Sequence, residues 1–305
     1  MPPDHSPIHS FIHSLLSPHG RLLDLRRPAV MGILNLTPDS FYAGSRIAAG
    51  ADGDLLGRAE AMLRAGAAVL DLGGYSSRPG AKDIAEDEEK RRLLPTLEAV
   101  RLNFPEAFLS ADTFRAAVAA QAVAAGADMI NDIGGGTLDA AMFAAVARLR
   151  VPYVLMHLRG TPQTMTRHTE YADDLVLTLL RFFRDQLSEL RAAGGTTTQV
   201  LLDPGLGFAK TPAQSHELLR RLPELLALGL PLLVGLSRKR MVYGPLGLTP
   251  AEALPGTIAL NTLALQGGAR LLRVHDVAEA KQVVDLFLNI FPKATGEGVK
   301  ERISA

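Results

Sequence analysis

Side chains able to bind anions, amide edges or a metal recur at one kind of place in this chain, directly after short apolar runs. In order they are Asn35, Thr37 and Asp39; Ser76, Ser77 and Arg78; Asp112; Asn131 and Asp132; His157; Asp203; Ser237, Arg238 and Lys239; Arg273, His275 and Asp276. Three chemistries follow from the residue types. Asn35, Ser77, Arg78, Arg273 and His275 suit an anion: arginine offers a planar fork to phosphate oxygens, and serine and histidine add short donors. Asn35 also carries a hard amide oxygen suited to Mg2+, which keeps several waters and bridges to substrate phosphates. Asp112, Asn131 and Asp203 each place one short acceptor or amide on a different run, a set that matches a flat heterocycle with several N–H groups. Lys239 adds a cation for a ring carbonyl or nitrogen and an aliphatic stem for a second substrate.

Several of these residues have plainer readings. Asp112 could instead cap the helix begun by DTFRAAV. Asp276 with Glu279 reads as a capping box and is expected to cap. Asp132 is expected to support the site or cap a helix, and His157 to be a satisfied structural histidine outside the site. Glycines in GGYSSRPG and DIGGG can serve turns, with no GxGxxG or GxxxxGK[ST] pattern behind them. DPGLGFAK (203–210) is too long and glycine-rich for a tight turn and is read as a functional loop.

The elements that must position these residues are eight. AVMGILNLT (29–37), AAVLDLGG (67–74), FLSADT (108–113), DMINDIG (128–134), PYVLMH (152–157), VLLDPG (200–205), PLLVGLS (231–237) and RLLRVHD (270–276) are continuously apolar, as strands covered on both faces are. Helical stretches such as LLGRAEAMLRA, FRAAVAAQAVAA and AVARLR separate them. Eight strand–helix units predict an α/β fold, a (β/α)8 barrel, which needs ~250 residues. RAGAAVLDLG, AAGADMINDIG and QGGARLLRV share a helix end, a glycine suited to a left-handed cap and a buried strand. No linker or composition break divides the chain, so one barrel is expected over 29–292, with a short N-terminal extension (1–28) and a C-terminal tail (293–305). In such barrels the site lies at the C-terminal strand ends, where the polar residues fall.

Composition narrows the class. The chain has 305 residues, is 47% hydrophobic and carries zero formal charge, which gives no support for nucleic acid. It has no cysteine, hence no disulfide or thiolate metal site, and a cytoplasmic location fits. No apolar run reaches the ~20 residues that cross a bilayer, so no membrane span is expected. MPPDHSPIHSFIHSLLSPHG is read as an exposed or loosely packed arm. His9 and His13 there have a helical metal-pair spacing but no third ligand.

Taken in order, MGILNLTPDSF, GGYSSRPGA, ADT, IND, DPGLGFAK, GLSRKR and RVHD closely resemble the dihydropteroate synthases of the pterin-binding barrel family, from about residue 29 to about residue 290. The resemblance implies condensation of 6-hydroxymethyl-7,8-dihydropterin diphosphate with 4-aminobenzoate, with Mg2+ required, in folate synthesis, by a homodimer. It implies that Asn35 ligates Mg2+ and that Ser77, Arg78, Arg273 and His275 hold the diphosphate. Asp112, Asn131, Asp203 and Lys239 would bind the pterin, and Phe208, Ser237 and Lys239 would border the aminobenzoate. Asp39 joins the catalytic set, as the remaining carboxylate of a flap that follows the first strand.

Four positions depart from the family pattern. Tyr42 and Ala43 stand where Ser-Asp is usual, Tyr75 where Glu or Gln is usual, and Ser77 where Thr is usual. Two rivals remain at this point. A methyltetrahydrofolate–corrinoid methyltransferase-like barrel would share the Asp and Asn residues but has no need of SRK, RVHD and a diphosphate cup. A non-catalytic pterin-binding paralogue draws its support from Ala43.

Overall fold

The computed structural model describes residues 14–36, 52–78 and 81–292. Eight parallel strands close into a barrel: β3 (Ala29–Asn35), β4 (Val69–Gly73), β5 (Phe108–Asp112), β6 (Met129–Asp132), β7 (Tyr153–Met156), β8 (Val200–Asp203), β9 (Leu232–Val234) and β10 (Ala269–Val274), which returns to pair with β3. The helices between them include α1 (Asp52–Arg64), α2 (Glu86–Asn103), α3 (Ala116–Ala124), α4 (Met142–Leu149), α5 (Leu175–Ala192), α6 (Pro212–Arg220), α7 (Arg240–Tyr243), α8 (Leu254–Gln266) and α9 (Val277–Ile290). The (β/α)8 expectation holds, and each strand falls within its apolar run except β10, which starts one residue earlier at Ala269. Gly66, Gly126 and Gly268 take φ of +96°, +106° and +96°, the left-handed helix ends expected of the three related segments.

Side-chain alternation along the strands makes two cores and one site. Val30, Leu34, Leu70, Leu72, Leu109, Ala111, Ile130, Leu155, Leu202, Val234 and Leu272 pack outward against the helices. Met31, Val69, Phe108, Met129, Val154, Leu201, Leu233 and Leu271, one from each strand, fill the barrel interior at its N-terminal end. Because strand side chains repeat every two residues, the residues two further on share that interior. They are Ile33, Asp71, Ser110, Asn131, Met156, Asp203, Gly235 and Arg273. Two more steps bring Asn35, Asp112 and His275 to the C-terminal rim. The site is the continuation of the inner core along the same rows.

The reading of residues 1–20 as a loose arm fails from Ser14 onward. β1 (Ser14–Leu16) and β2 (Leu22–Asp24) pair antiparallel as a hairpin. Leu15, Leu23 and Leu25 are almost wholly buried against the inner layer of Met31, Val69 and Phe108. The hairpin is therefore a plug for the N-terminal mouth, and hydrophobic burial holds it there. Arg21 adds a bond to buried Asp128 at 3.0 Å. His9 and His13 lie outside the described residues.

Candidate active site

The floor of the cleft is a charged network that crosses the barrel. Arg273 Nε donates to Asp71 Oδ2 at 2.6 Å, and Arg273 Nη2 donates to Asp112 Oδ2 at 2.6 Å. Asn131 Nδ2 donates to the same Asp71 oxygen at 3.1 Å. These side chains come from β10, β4, β5 and β6, so they meet only inside the barrel. Asp112 is not the helix cap considered above: α3 begins at Ala116, with Arg115 at its cap position. Burial in this pocket, opposed by Arg273, raises the Asp112 carboxyl to about 7, and nearby Asp71, Glu89 and Asp132 push the same way. Burial pulls the Arg273 guanidinium down, but Asp71 and Asp112 more than reverse this and hold it charged.

Asp203 stands beside this network at the end of β8, 5% exposed. Its Oδ1 accepts the Gly205 amide at 2.7 Å. Burial raises its pKa, while Lys239, the Gly205 amide and Arg273 oppose the shift. Lys239 is partly exposed where it lines the cleft. Its ammonium donates to the Leu206 carbonyl at 2.8 Å and lies 4.4 Å from the centre of the Phe208 ring. Burial, against the pull of Asp203, lowers it to about 8.

The rim holds the anion-binding candidates. Asn35, Ser77, Arg78, Asp112, Phe208, Ser237, Lys239, Arg273 and His275 line one cleft with Tyr75 and Ser76. Asn131 and Asp203 lie at its base, nearly sealed from solvent. His275 accepts or donates at Nδ1 with Ser237 Oγ at 3.0 Å, and its backbone N–H donates to the same oxygen at 3.2 Å. Burial, helped by Arg273, lowers the imidazole to about 4. Of the two roles open to it from the sequence, donor or cation, the neutral donor prevails at pH 7. With the Ser237 hydroxyl donating to Nδ1, the proton sits on Nε2 and is available to an anion.

Besides Asp112, the structure corrects one more plain reading and bears out two. Asp276 does occupy the cap position of α9, yet its side chain makes no cap bond. Both of its oxygens instead accept from Arg238, at 2.8 Å each. Arg238 is 4% exposed, at φ +54°, and a buried guanidinium outcompetes a backbone amide for a carboxylate. Asp132 is a support, as expected: it accepts the Gly134 and Gly136 amides at 2.7 and 2.8 Å and the Tyr153 hydroxyl at 2.5 Å. His157 is buried and structural, with Nδ1 2.8 Å from Lys210 Nζ.

Two buried charged residues beside these side chains, Asp71 and Lys210, escape the sequence reading. Asp71 sits inside an apolar strand rather than at its tip, and the signal was there: a carboxylate alternating with outward Leu70 and Leu72 shares the row of Gly73. Lys210 lies in the DPGLGFAK loop, with nothing in the local pattern to separate it from a surface lysine. The departure at Tyr75 is also explained locally. Its ring packs edge-on to Phe114 at 5.0 Å, and its hydroxyl donates to Asp83 at 3.0 Å and accepts from Gln163 at 2.5 Å. Thr37, Asp39, Tyr42 and Ala43 lie outside the described residues.

The donor set for a metal is sparse. Among the described residues no group of three His, Cys, Asp or Glu side chains is placed to hold an ion. Asn35 puts one amide at the rim, beside the anion-binding side chains. That set fits Mg2+ brought by a diphosphate, since the ion takes few protein ligands and several phosphate or water oxygens.

A buried charged floor joined to a rim of cationic and hydroxyl side chains in one barrel narrows the class, and comparison with known proteins gives the family. Residues 31–275 match the model of the pterin binding enzymes, and the chain belongs to that family. The dihydropteroate synthase of Synechocystis is 45% identical over 261 residues, spanning 85% of this chain and 88% of the relative. A Yersinia pestis dihydropteroate synthase solved with a sulfonamide drug superposes with a TM-score of 0.86 at 41% identity, over 91% of this chain and 98% of that one. A Xanthomonas albilineans dihydropteroate synthase solved with 4-aminobenzoic acid superposes at 0.81 with 40% identity, over 90% and 98%. The chain is an enzyme of this kind, a transferase of folate biosynthesis.

Proposed function

We propose that this chain joins 6-hydroxymethyl-7,8-dihydropterin diphosphate to 4-aminobenzoate, forming 7,8-dihydropteroate and releasing diphosphate. The observation that carries the reading is the continuity of two chemistries in one cleft. Asn131 and Asp203 offer an amide and an acceptor beneath the cleft, Asp112 adds an acceptor in its lining, and Arg273 bonds Asp112 within that lining. In this reading the pterin edge pairs with Asp112, Asn131 and Asp203, with Lys239 at a ring acceptor. Each buried N–H then finds a partner, which a heterocycle of the wrong pattern would not.

The diphosphate lies against Ser77, Arg78, Arg273 and the Nε2–H of His275. As the bond between the pterin methylene carbon and the diphosphate oxygen lengthens, negative charge grows on the leaving group and positive charge on the pterin. Preorganised donors at the rim stabilise the first, and the carboxylates at the base stabilise the second. The arylamine nitrogen then bonds to the methylene carbon and loses a proton. Phe208 and the Lys239 stem form the wall against which its ring packs, with Ser237 nearby. When bound, Mg2+ held by Asn35 and the diphosphate oxygens would supply Lewis-acid charge neutralisation. Asp39 is assigned to the same catalytic set on the strength of the NLTPDS motif alone.

Among the described residues no helix is long and apolar enough to cross a membrane. We place the enzyme in the cytoplasm, where its cysteine-free composition fits, and expect it to work as a homodimer, with small-molecule substrates and no nucleic acid partner. A coupled diphosphate-release assay tests the reading: release should require both substrates together. Release that ignores 4-aminobenzoate would mean a different acceptor.

A further inference from the structure

The loop after β8 carries substrate-facing groups on one side and an unassigned buried cation on the other. From Asp203 the chain passes through Gly205 and Gly207 at φ +67° and +80°, then Ala209 at +49°. An alanine in the left-handed region persists only where surrounding contacts impose it. Lys210 supplies those contacts. Its Nζ donates to the Gly205 and Phe208 carbonyls, both at 3.1 Å, and approaches His157 Nδ1 at 2.8 Å. Burial, against the pull of Asp203, lowers Lys210 to about 7; in its ammonium form it has three donors and no acceptor, and here three acceptors face it.

His157 is anchored for this role. It is 1% exposed, and its ring stands edge-on to Phe182 at 4.9 Å. Burial, with the adjacent Lys210 charge, holds it well below its ordinary range, so the ring is neutral and can accept at Nδ1 from the facing ammonium. The loop cannot back away from this anchor except as glycine, since a Cβ at Gly205 would stand 2.2 Å from the His157 carbonyl oxygen. The Tyr171 hydroxyl adds a bond to the Ala209 carbonyl at 3.0 Å. On the opposite side the same loop gives its Leu206 carbonyl to Lys239 and sets the Phe208 ring beneath that ammonium.

We propose that Lys210 is a positioning residue for the arylamine pocket: clamped by His157 and two loop carbonyls, it fixes the loop that aims Phe208 and holds Lys239. This rests on the reading of Phe208 and Lys239 as the arylamine wall. Lys210→Met keeps the stem and removes all three donors. Because that leaves His157 facing an apolar group, Lys210→Met/His157→Leu removes both members of the pair.

Hydrogen exchange and steady-state kinetics on the full chain test the proposal together. In Lys210→Met, amide exchange over residues 204–210 should accelerate while the barrel strands keep wild-type protection. The KM for 4-aminobenzoate should rise about tenfold, as for a misplaced wall, with the KM for the pterin diphosphate changing far less. The double variant should cost no more in arylamine KM than Lys210→Met alone, because the pair acts as one unit. Unchanged exchange in the loop with unchanged arylamine KM overturns the proposal, as does a uniform loss of protection across the barrel. Should the wild-type protein fail to turn over the two substrates, the functional reading falls, and the exchange data still decide whether Lys210 shapes the loop.

Discussion

Arg273 of β10 and Asp71 of β4 meet inside the barrel at 2.6 Å, across the intervening strand β3. Asp71 is fully buried, and the same oxygen also receives Asn131. A guanidinium proposed for the diphosphate and an amide proposed for the pterin therefore share one acceptor. Their separation and orientation are fixed before either substrate arrives, which is the preorganisation that catalysis by charge stabilisation requires.

Replacing that acceptor should affect fold and site together. Asp71→Ala leaves Asn131 without its partner and Arg273 with Asp112 alone, so a loss of about 3 kcal/mol is expected. Asp71→Asn keeps the volume and one oxygen and should cost less stability, yet still weaken pterin binding. Denaturant unfolding and calorimetry separate the two effects. Wild-type pterin affinity in Asp71→Asn would remove Asp71 from the account.

The Arg238–Asp276 pair gives a test by magnitude. If Asp276 only capped α9, Asp276→Ala would cost about 1 kcal/mol. Because it is the carboxylate for a nearly inaccessible arginine, the expected loss is about 3–5 kcal/mol. A denaturant midpoint shift matching the smaller value would restore the capping role.

Asp203→Asn tests the base of the cleft. The amide oxygen would keep the Gly205 bond, turning the NH2 toward Lys239 and the pterin donors. Two donors then face donors, and pterin binding should weaken by about 1–3 kcal/mol. Undiminished affinity by calorimetry would place the pterin edge elsewhere.

A fourth expectation concerns pH. Pterin binding that needs ionised Asp112 should weaken as pH falls below about 7, about tenfold per unit in the limit. Asp112→Asn should remove that dependence along with much of the affinity. The sign for stability is opposite: a folded-state value raised from 3.8 to about 7 gives a contribution fully present below 3.8 and lost as pH rises through about 7. His275, lowered to about 4, should add no inflection between pH 6 and 7. A pH dependence that survives unchanged in Asp112→Asn would mean that Asp112 is not the group read.

The barrel and most of the site were legible because both follow from local pattern. Apolar runs marked strands covered on both faces, and polar residues at their ends marked the rim, so Asn35, Asp112, Asp203, Arg273 and His275 stood out. What escaped depends on long-range partners. Asp71 looked like a strand interior residue until Arg273, 202 residues away, gave it a counter-ion. Asp276 fitted a capping box because that pattern is local, whereas Arg238, 38 residues before it, is not. The hairpin at 14–24 was read as loose because its buried leucines are few and its partner surface is assembled from eight separate strands.

The central claim is that the floor and the rim serve one condensation. Incubation with the pterin diphosphate, 4-aminobenzoate and Mg2+, followed by separate quantification of 7,8-dihydropteroate and diphosphate, tests it most directly. The account predicts equal amounts of the two products, with both strongly reduced in Arg273→Ala. Diphosphate formed without dihydropteroate, or neither product from well-folded wild-type protein, would contradict it.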